Sequence, residues 1–249
     1  MKAMMRPILI VAALFSASIV SVTALGISSS RSPGKKEYKY LAFGSNLNRG
    51  TMESLRGIEP IGATAAVLPG YRLRFNLPGV PFLEPSAATV EKCPNGSSVH
   101  GVLYTLTEQD FATVGSTEGV PFSYQWESCW VVPYVGDGLD AGAKATEGAR
   151  IDNTNEPASV ASASSVESST TRRLRAYTLV SSSSFSRPDL PPSKSYLSLI
   201  IGGAKEWRFD KDYVDALEAT PYARNLLIPD GLAKTTLDVA QMRRKLSNR

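Results

Sequence analysis

Histidine is all but missing from this chain, with His100 the only one in 249 residues. A single imidazole excludes histidine-rich metal sites, and no serine or cysteine motif surrounds it, which argues against a Ser-His-Asp or Cys-His nucleophile. Cysteine is almost as scarce. Cys93 and Cys129 are the only two, too few for a disulfide-stapled scaffold and too far apart for a Cys-x-x-Cys redox or zinc motif. One disulfide between them stays open for a secretory compartment. A strong excess of one charge is lacking too, since 27 Lys and Arg against 23 Asp and Glu leave a net +4. The basic residues are scattered apart from Arg172, Arg173, Arg175 and a tail of Arg243, Arg244, Lys245 and Arg249. These read as solvated faces and tail charges rather than a nucleic-acid groove. Carboxylates, tyrosines, lysines and backbone dipoles are left to carry any chemistry, with neither metal nor cofactor expected.

Composition divides the chain. Pro7 to Ile27 is an uncharged, mostly apolar run preceded by Lys2 and Arg6 and ending in small residues, the grammar of a secretory signal. Its length approaches the ~20 residues of a membrane helix, so an uncleaved anchor is the other reading. Residues 1–30 are therefore set apart, residues 7–27 are the expected membrane-associating segment, and the expected route is secretory, with onward organelle delivery open. Gly136 to Thr171 is rich in Gly, Ala, Ser, Thr and Asn without apolar periodicity and is expected to be a flexible insertion. Residues 226–249 are expected to form a tail, in which 238–246 has some helical character.

Between these lies an alternation of strands and short helices. Tyr38–Phe43, Tyr71–Phe75, Val99–Leu106, Tyr124–Val135 and Arg172–Ser181 have the aromatic, β-branched or alternating character of strands. Leu47–Arg56 and Asp210–Glu218 read as helices, and Thr107 begins an N-capped helix expected to stop before Gly115. Ser195–Gly202 is apolar enough for helix or strand. The absence of regular βαβ alternation points to a mixed α+β domain over about 38–225.

Three segments carry chemistry. Tyr40-Leu41-Ala42-Phe43-Gly44-Ser45-Asn46 is a strand breaking at Gly-Ser, where backbone amides can approach an anionic group closely, although such a tripeptide can also merely turn the chain. Ser116-Thr117-Glu118-Gly119-Val120-Pro121-Phe122 sets a carboxylate beside apolar residues. If Glu118 faces them, burial suits it to exchange protons near neutral pH, and otherwise it is an exposed loop glutamate. In Pro191-Pro192-Ser193-Lys194-Ser195-Tyr196, followed by Gly203-Ala204-Lys205-Glu206, Tyr196 can close over a ligand or pack on the core.

In this order the three segments resemble the γ-glutamylcyclotransferase family, over roughly Tyr38 to Pro221. The resemblance implies an α+β fold built on a small β-barrel-like sheet with short flanking helices, and a lyase that needs no cofactor. Its substrate would be a small γ-glutamyl compound, cyclised to 5-oxoproline with release of an amine. It implies Glu118 as the acid/base, the loop Tyr40, Leu41, Ala42, Phe43, Gly44 and Ser45 as holder of the glutamyl part, and Tyr196 as a further substrate contact. Phe43 departs from the family pattern, which has tyrosine before Gly-Ser-Asn, and Tyr124 is a candidate second tyrosine near the carboxylate. A homodimer is left open. So are a non-catalytic binding module of the same fold and a cyclotransferase for a specialised γ-glutamyl metabolite.

Overall fold

A computed structural model describes residues 36–80, 84–93, 95–147, 149, 172–182 and 187–223. The apolar run at 7–27, the greater part of the expected insertion and the tail at 226–249 lie outside the described residues. Among those described, no helix is long and apolar enough to cross a membrane.

Five strands close into a barrel in the order β1 (Glu37–Ala42), β5 (Ser98–Thr107), β2 (Gly62–Pro69), β6 (Tyr124–Tyr134), β7 (Leu174–Ser181). Closure abolishes the free edges that an open sheet would present. Neighbours run antiparallel except at the seam, where Tyr40 of β1 pairs in parallel with Tyr177 of β7. Leu41, Val67, Val102, Tyr104, Val131 and Leu179 of the barrel strands are all buried. β3 (Tyr71–Val80) and β4 (Glu84–Lys92) form a separate antiparallel hairpin. Helices α1 (Glu108–Thr117), α2 (Ala141–Glu147), α3 (Lys194–Glu206) and α4 (Lys211–Glu218) flank the sheets. This is the mixed α+β, barrel-based architecture that the sequence led us to expect.

Two local expectations need correction, on the helix after Thr107 and on the segment after Gly136, and one open question, on the two cysteines, is answered. The helix after Thr107 does start there, with Thr107 Oγ1 accepting from the Asp110 amide at 3.1 Å, but it runs through Gly115 to Thr117. Gly115 sits against the Trp126 indole, which lies 3.4 Å from where a Cβ would stand, so the glycine serves close packing inside the helix instead of ending it. Cys93 and Cys129 are both free thiols, so no disulfide joins them. The segment beginning at Gly136 is not wholly flexible, since Ala141–Glu147 is helix α2. The Asp210 carboxylate caps it by accepting from the Gly142 and Ala143 amides, each at 2.8 Å. A Cβ on Gly142 would lie 2.5 Å from the His100 ring. The small residues that suggested low complexity thus let this helix lie directly on the barrel.

Candidate active site

The site forms where β1 leaves the barrel. Past Ala42 the chain enters a tight 3₁₀ turn, Ser45–Leu47, and then a wider helical turn, Thr51–Leu55. α3 packs against the first turn so closely that a Cβ on Gly203 would stand 2.6 Å from Leu47 Cβ and 2.9 Å from the Asn48 amide. That contact gives the Gly-Ala-Lys-Glu segment a structural role. Trp207 adds a hydrogen bond from Nε1 to the Leu47 carbonyl at 3.0 Å.

Because α1 continues past Gly115, its C-terminal cap is Glu118, and the following turn through Gly119, at φ +75°, carries the chain away. Glu118 therefore projects from a helix end onto the Ser45–Leu47 turn. Its Oε1 accepts from Asn46 Nδ2 at 2.9 Å and forms an ion pair with Arg56 Nη2. The apolar surroundings left open as one of two alternatives for Glu118 are not what its carboxylate meets. A guanidinium and an amide face it instead, while Phe122 stands 74% exposed.

Asn46 organises the centre. Its amide nitrogen also donates to Tyr40 Oη at 3.1 Å, its Oδ1 accepts from Arg56 Nε at 2.7 Å, and its main-chain carbonyl accepts from Tyr104 Oη at 3.0 Å. Tyr196 enters from the first turn of α3, whose cap is Ser193, with Ser193 Oγ accepting from the Tyr196 amide at 3.1 Å. The Tyr196 hydroxyl accepts from the Ala88 amide at 3.1 Å and lies 3.1 Å from where a Cβ on Gly44 would be. A larger residue at Gly44 would crowd that hydroxyl. Tyr124 donates from its hydroxyl to the Ala88 carbonyl, so two phenols grip one residue of β4 and tie the hairpin over the site. Burial pushes the Tyr40, Tyr124 and Tyr196 hydroxyls well above the usual phenol range, which keeps all three protonated near neutral pH.

Of the residues singled out from sequence, the fold gathers Tyr40, Gly44, Ser45, Glu118 and Tyr196 around this turn. Leu41, Ala42 and Phe43 are core residues, at most 4% exposed, so their side chains pack into the protein interior. The sequence named Asn46 and Thr117 only within their motifs and Arg56 only as the end of an expected helix. Arg56 lies 62 positions from Glu118, and no local pattern marks it.

Residues 40–149 match the family model described as Gamma-glutamyl cyclotransferase, AIG2-like. Over those residues the chain is similar to the γ-glutamyl cyclotransferase family. It is similar to Gamma-glutamyl cyclotransferase gliK of Aspergillus fumigatus, 29% identical over 199 residues that make up 72% of this chain and 62% of the relative. It is also similar to Gamma-glutamyl cyclotransferase aclK of Aspergillus oryzae, 31% identical over 98 residues, 34% of this chain and 36% of the relative. The chain thus spans less than two thirds of the length of either. A solved structure of a Gamma-glutamyl cyclotransferase superposes with a TM-score of 0.58 at 16% identity, covering 82% of this chain and 99% of the other. That likeness concerns the fold.

Proposed function

We propose that the protein is a γ-glutamylcyclotransferase acting on a γ-glutamyl amino acid or a related γ-glutamyl amine, with Glu118 as acid/base. The observation that carries this reading is the hydrogen bond of 2.9 Å from Asn46 to Glu118 Oε1, which joins the Gly-Ser-Asn turn to the one carboxylate among the motif residues at that turn. A base and a glycine-lined backbone turn then stand side by side, as an intramolecular cyclisation needs.

The reaction asks little else of the protein. The substrate's α-amine attacks its own γ-carbonyl carbon, a C–N bond forms in the five-membered ring, and the γ-amide C–N bond breaks. An α-amine has a pKa of about 8, so near neutral pH most of it carries a proton that blocks attack. Glu118 accepts that proton, and the attacking nitrogen sheds a second as the C–N bond forms; Glu118 relays the two in turn to the departing nitrogen, which leaves as an ammonium, so the carboxylate is restored. Backbone amides at Gly44 and Ser45 suit the α-carboxylate, because the first amides of a helical turn have no partner within the turn. Holding the flexible glutamyl chain bent, with nitrogen against carbonyl, contributes most of the acceleration expected of such a site. The Tyr196 hydroxyl, fixed by the Ala88 amide, has its own proton to offer to the bound glutamyl group.

Release of 5-oxoproline from γ-glutamyl-alanine, its N-acetylated and α-linked counterparts, and glutathione, followed by mass spectrometry, tests the proposal. The γ-linked compound with a free amine is expected to react. The N-acetylated one lacks a basic lone pair, and the α-linked one presents a different carbonyl, so neither should react. Glutathione reports whether the leaving-group side accepts a dipeptide. No release from any of the four would contradict the proposal.

A further inference from the structure

Arg56 lies at the centre of the site without being part of any recognisable motif. It follows the helical turn Thr51–Leu55, where its amide donates to the Thr51 carbonyl at 3.2 Å, and its side chain is only 7% exposed. The guanidinium makes three contacts in three directions. Nε donates to Asn46 Oδ1 at 2.7 Å, Nη1 donates to Thr117 Oγ1, and Nη2 to Glu118 Oε1. Thr117 Oγ1 can accept because its own hydrogen goes to the main chain of α1, with the Thr113 carbonyl 2.9 Å away. A planar fork held on three acceptors has no freedom to turn. Arg56 therefore rivets the turn after β1 to the end of α1, the two segments that the proposed chemistry must bring together.

The consequence falls on one oxygen of Glu118. Oε1 receives both Arg56 Nη2 and Asn46 Nδ2. Asn46 cannot rotate, since its amide group is also committed to Tyr40 and Arg56. Among the described residues Oε2 receives no hydrogen bond. We propose that Arg56 is a positioning residue for proton transfer: with Asn46 it pins Oε1 of Glu118, so that Oε2 is the oxygen that takes the proton from the substrate's α-amine and hands it to the leaving amine. This rests on the acid/base role proposed for Glu118 and adds which oxygen acts and what aims it. Arg56 touches neither reacting atom and forms no bond in the reaction. Its contribution is orientation of the carboxylate, which a merely structural tie between two segments would not supply in the same form.

Turnover and KM of wild type, Arg56→Ala and Arg56→Lys on γ-glutamyl-alanine test this, with a thermal melt of each protein. Misaiming a catalytic group costs about 10²-fold in rate, so Arg56→Ala is expected to lose about that much in kcat with KM little changed. Arg56→Lys keeps the charge without the fork and is expected to lose part of it. The decisive arm adds millimolar guanidinium to Arg56→Ala. The free cation can occupy the vacated place and contact Oε1 and Asn46 Oδ1, so kcat should recover in part, whereas wild type should gain nothing. If Arg56→Ala does not fold, Arg56→Lys alone carries the test through its kcat. Undiminished kcat in the folded variants, or a loss that appears only in KM and is untouched by guanidinium, would overturn the role of Arg56 while leaving the cyclotransferase intact. A wild type that releases no 5-oxoproline overturns the activity itself and this role with it.

Discussion

Glu84 offers a quantitative test of how the helix that carries Tyr196 is held. It stands at the start of β4, 8% exposed, and accepts from the Ser193 amide at 2.9 Å and from Ser193 Oγ. Ser193 in turn caps the helix that carries Tyr196. Burial raises the Glu84 pKa from 4.5 to about 7, against the opposing pull of the hydrogen bonds from Ser193 and Ser86. A carboxyl whose folded-state pKa is raised favours the fold when protonated in both states. That stability is present below pH 4.5 and is lost as pH rises to about 7. The interval from 4.5 to about 7, at about 1.4 kcal/mol per pH unit, corresponds to about 3 kcal/mol. Glutamine in its place is neutral throughout, can accept from the Ser193 amide, and can donate to Ser193 Oγ. The stability of Glu84→Gln relative to wild type should therefore rise by about 3 kcal/mol across that window, whatever offset the substitution itself introduces. Urea unfolding of both proteins at a series of pH values measures the difference directly. Two curves that stay parallel from acid to neutral pH would refute the reasoning.

The two adjacent glycines of α3 should behave in opposite ways. Gly203→Ala would drive a methyl to within 2.6 Å of Leu47, and overpacking against backbone costs roughly 1–3 kcal/mol, more than the ~1 kcal/mol that alanine gains in a helix. Gly202, with nothing within 4 Å of where a Cβ would stand, should gain up to ~1 kcal/mol on the same change, and thermal melts of both variants compare them. Tyr196→Phe removes one hydroxyl from a buried contact, worth about 1 kcal/mol or more, so kcat/KM should fall by roughly 10-fold in steady-state assays. Removing the first 30 residues is expected to leave a cooperative thermal transition, because the described barrel begins at Glu37, and loss of that transition would place those residues within the folding unit.

The elements read best from sequence are those whose side chains announce their surroundings. The aromatic and β-branched runs of β1, β5, β6 and β7 match strands at nearly the expected positions. β2 and β4 went unread because Gly62–Pro69 is mostly small and Glu84–Lys92 opens with a proline in its second position. Their strand character comes from pairing with β5 and β3, respectively, and not from propensity. The same limit applies at the site. The motif residues could be picked out because Gly44, Glu118 and Tyr196 recur in a known order, whereas Arg56 acts only through contacts to Asn46, Thr117 and Glu118 that exist once the chain has folded. Phe43, the departure from the family pattern, is a core side chain at 4% exposure, so the missing hydroxyl is first of all a packing difference.

Glu118→Gln keeps the shape of the side chain and its contacts with Arg56 and Asn46 while removing the proton acceptor. The most direct measurement is therefore 5-oxoproline formation from γ-glutamyl-alanine by the folded variant beside wild type. Turnover is expected to fall by about 10²- to 10⁴-fold with the melting transition retained. Wild-type turnover in a folded Glu118→Gln protein would contradict the acid/base role proposed for Glu118.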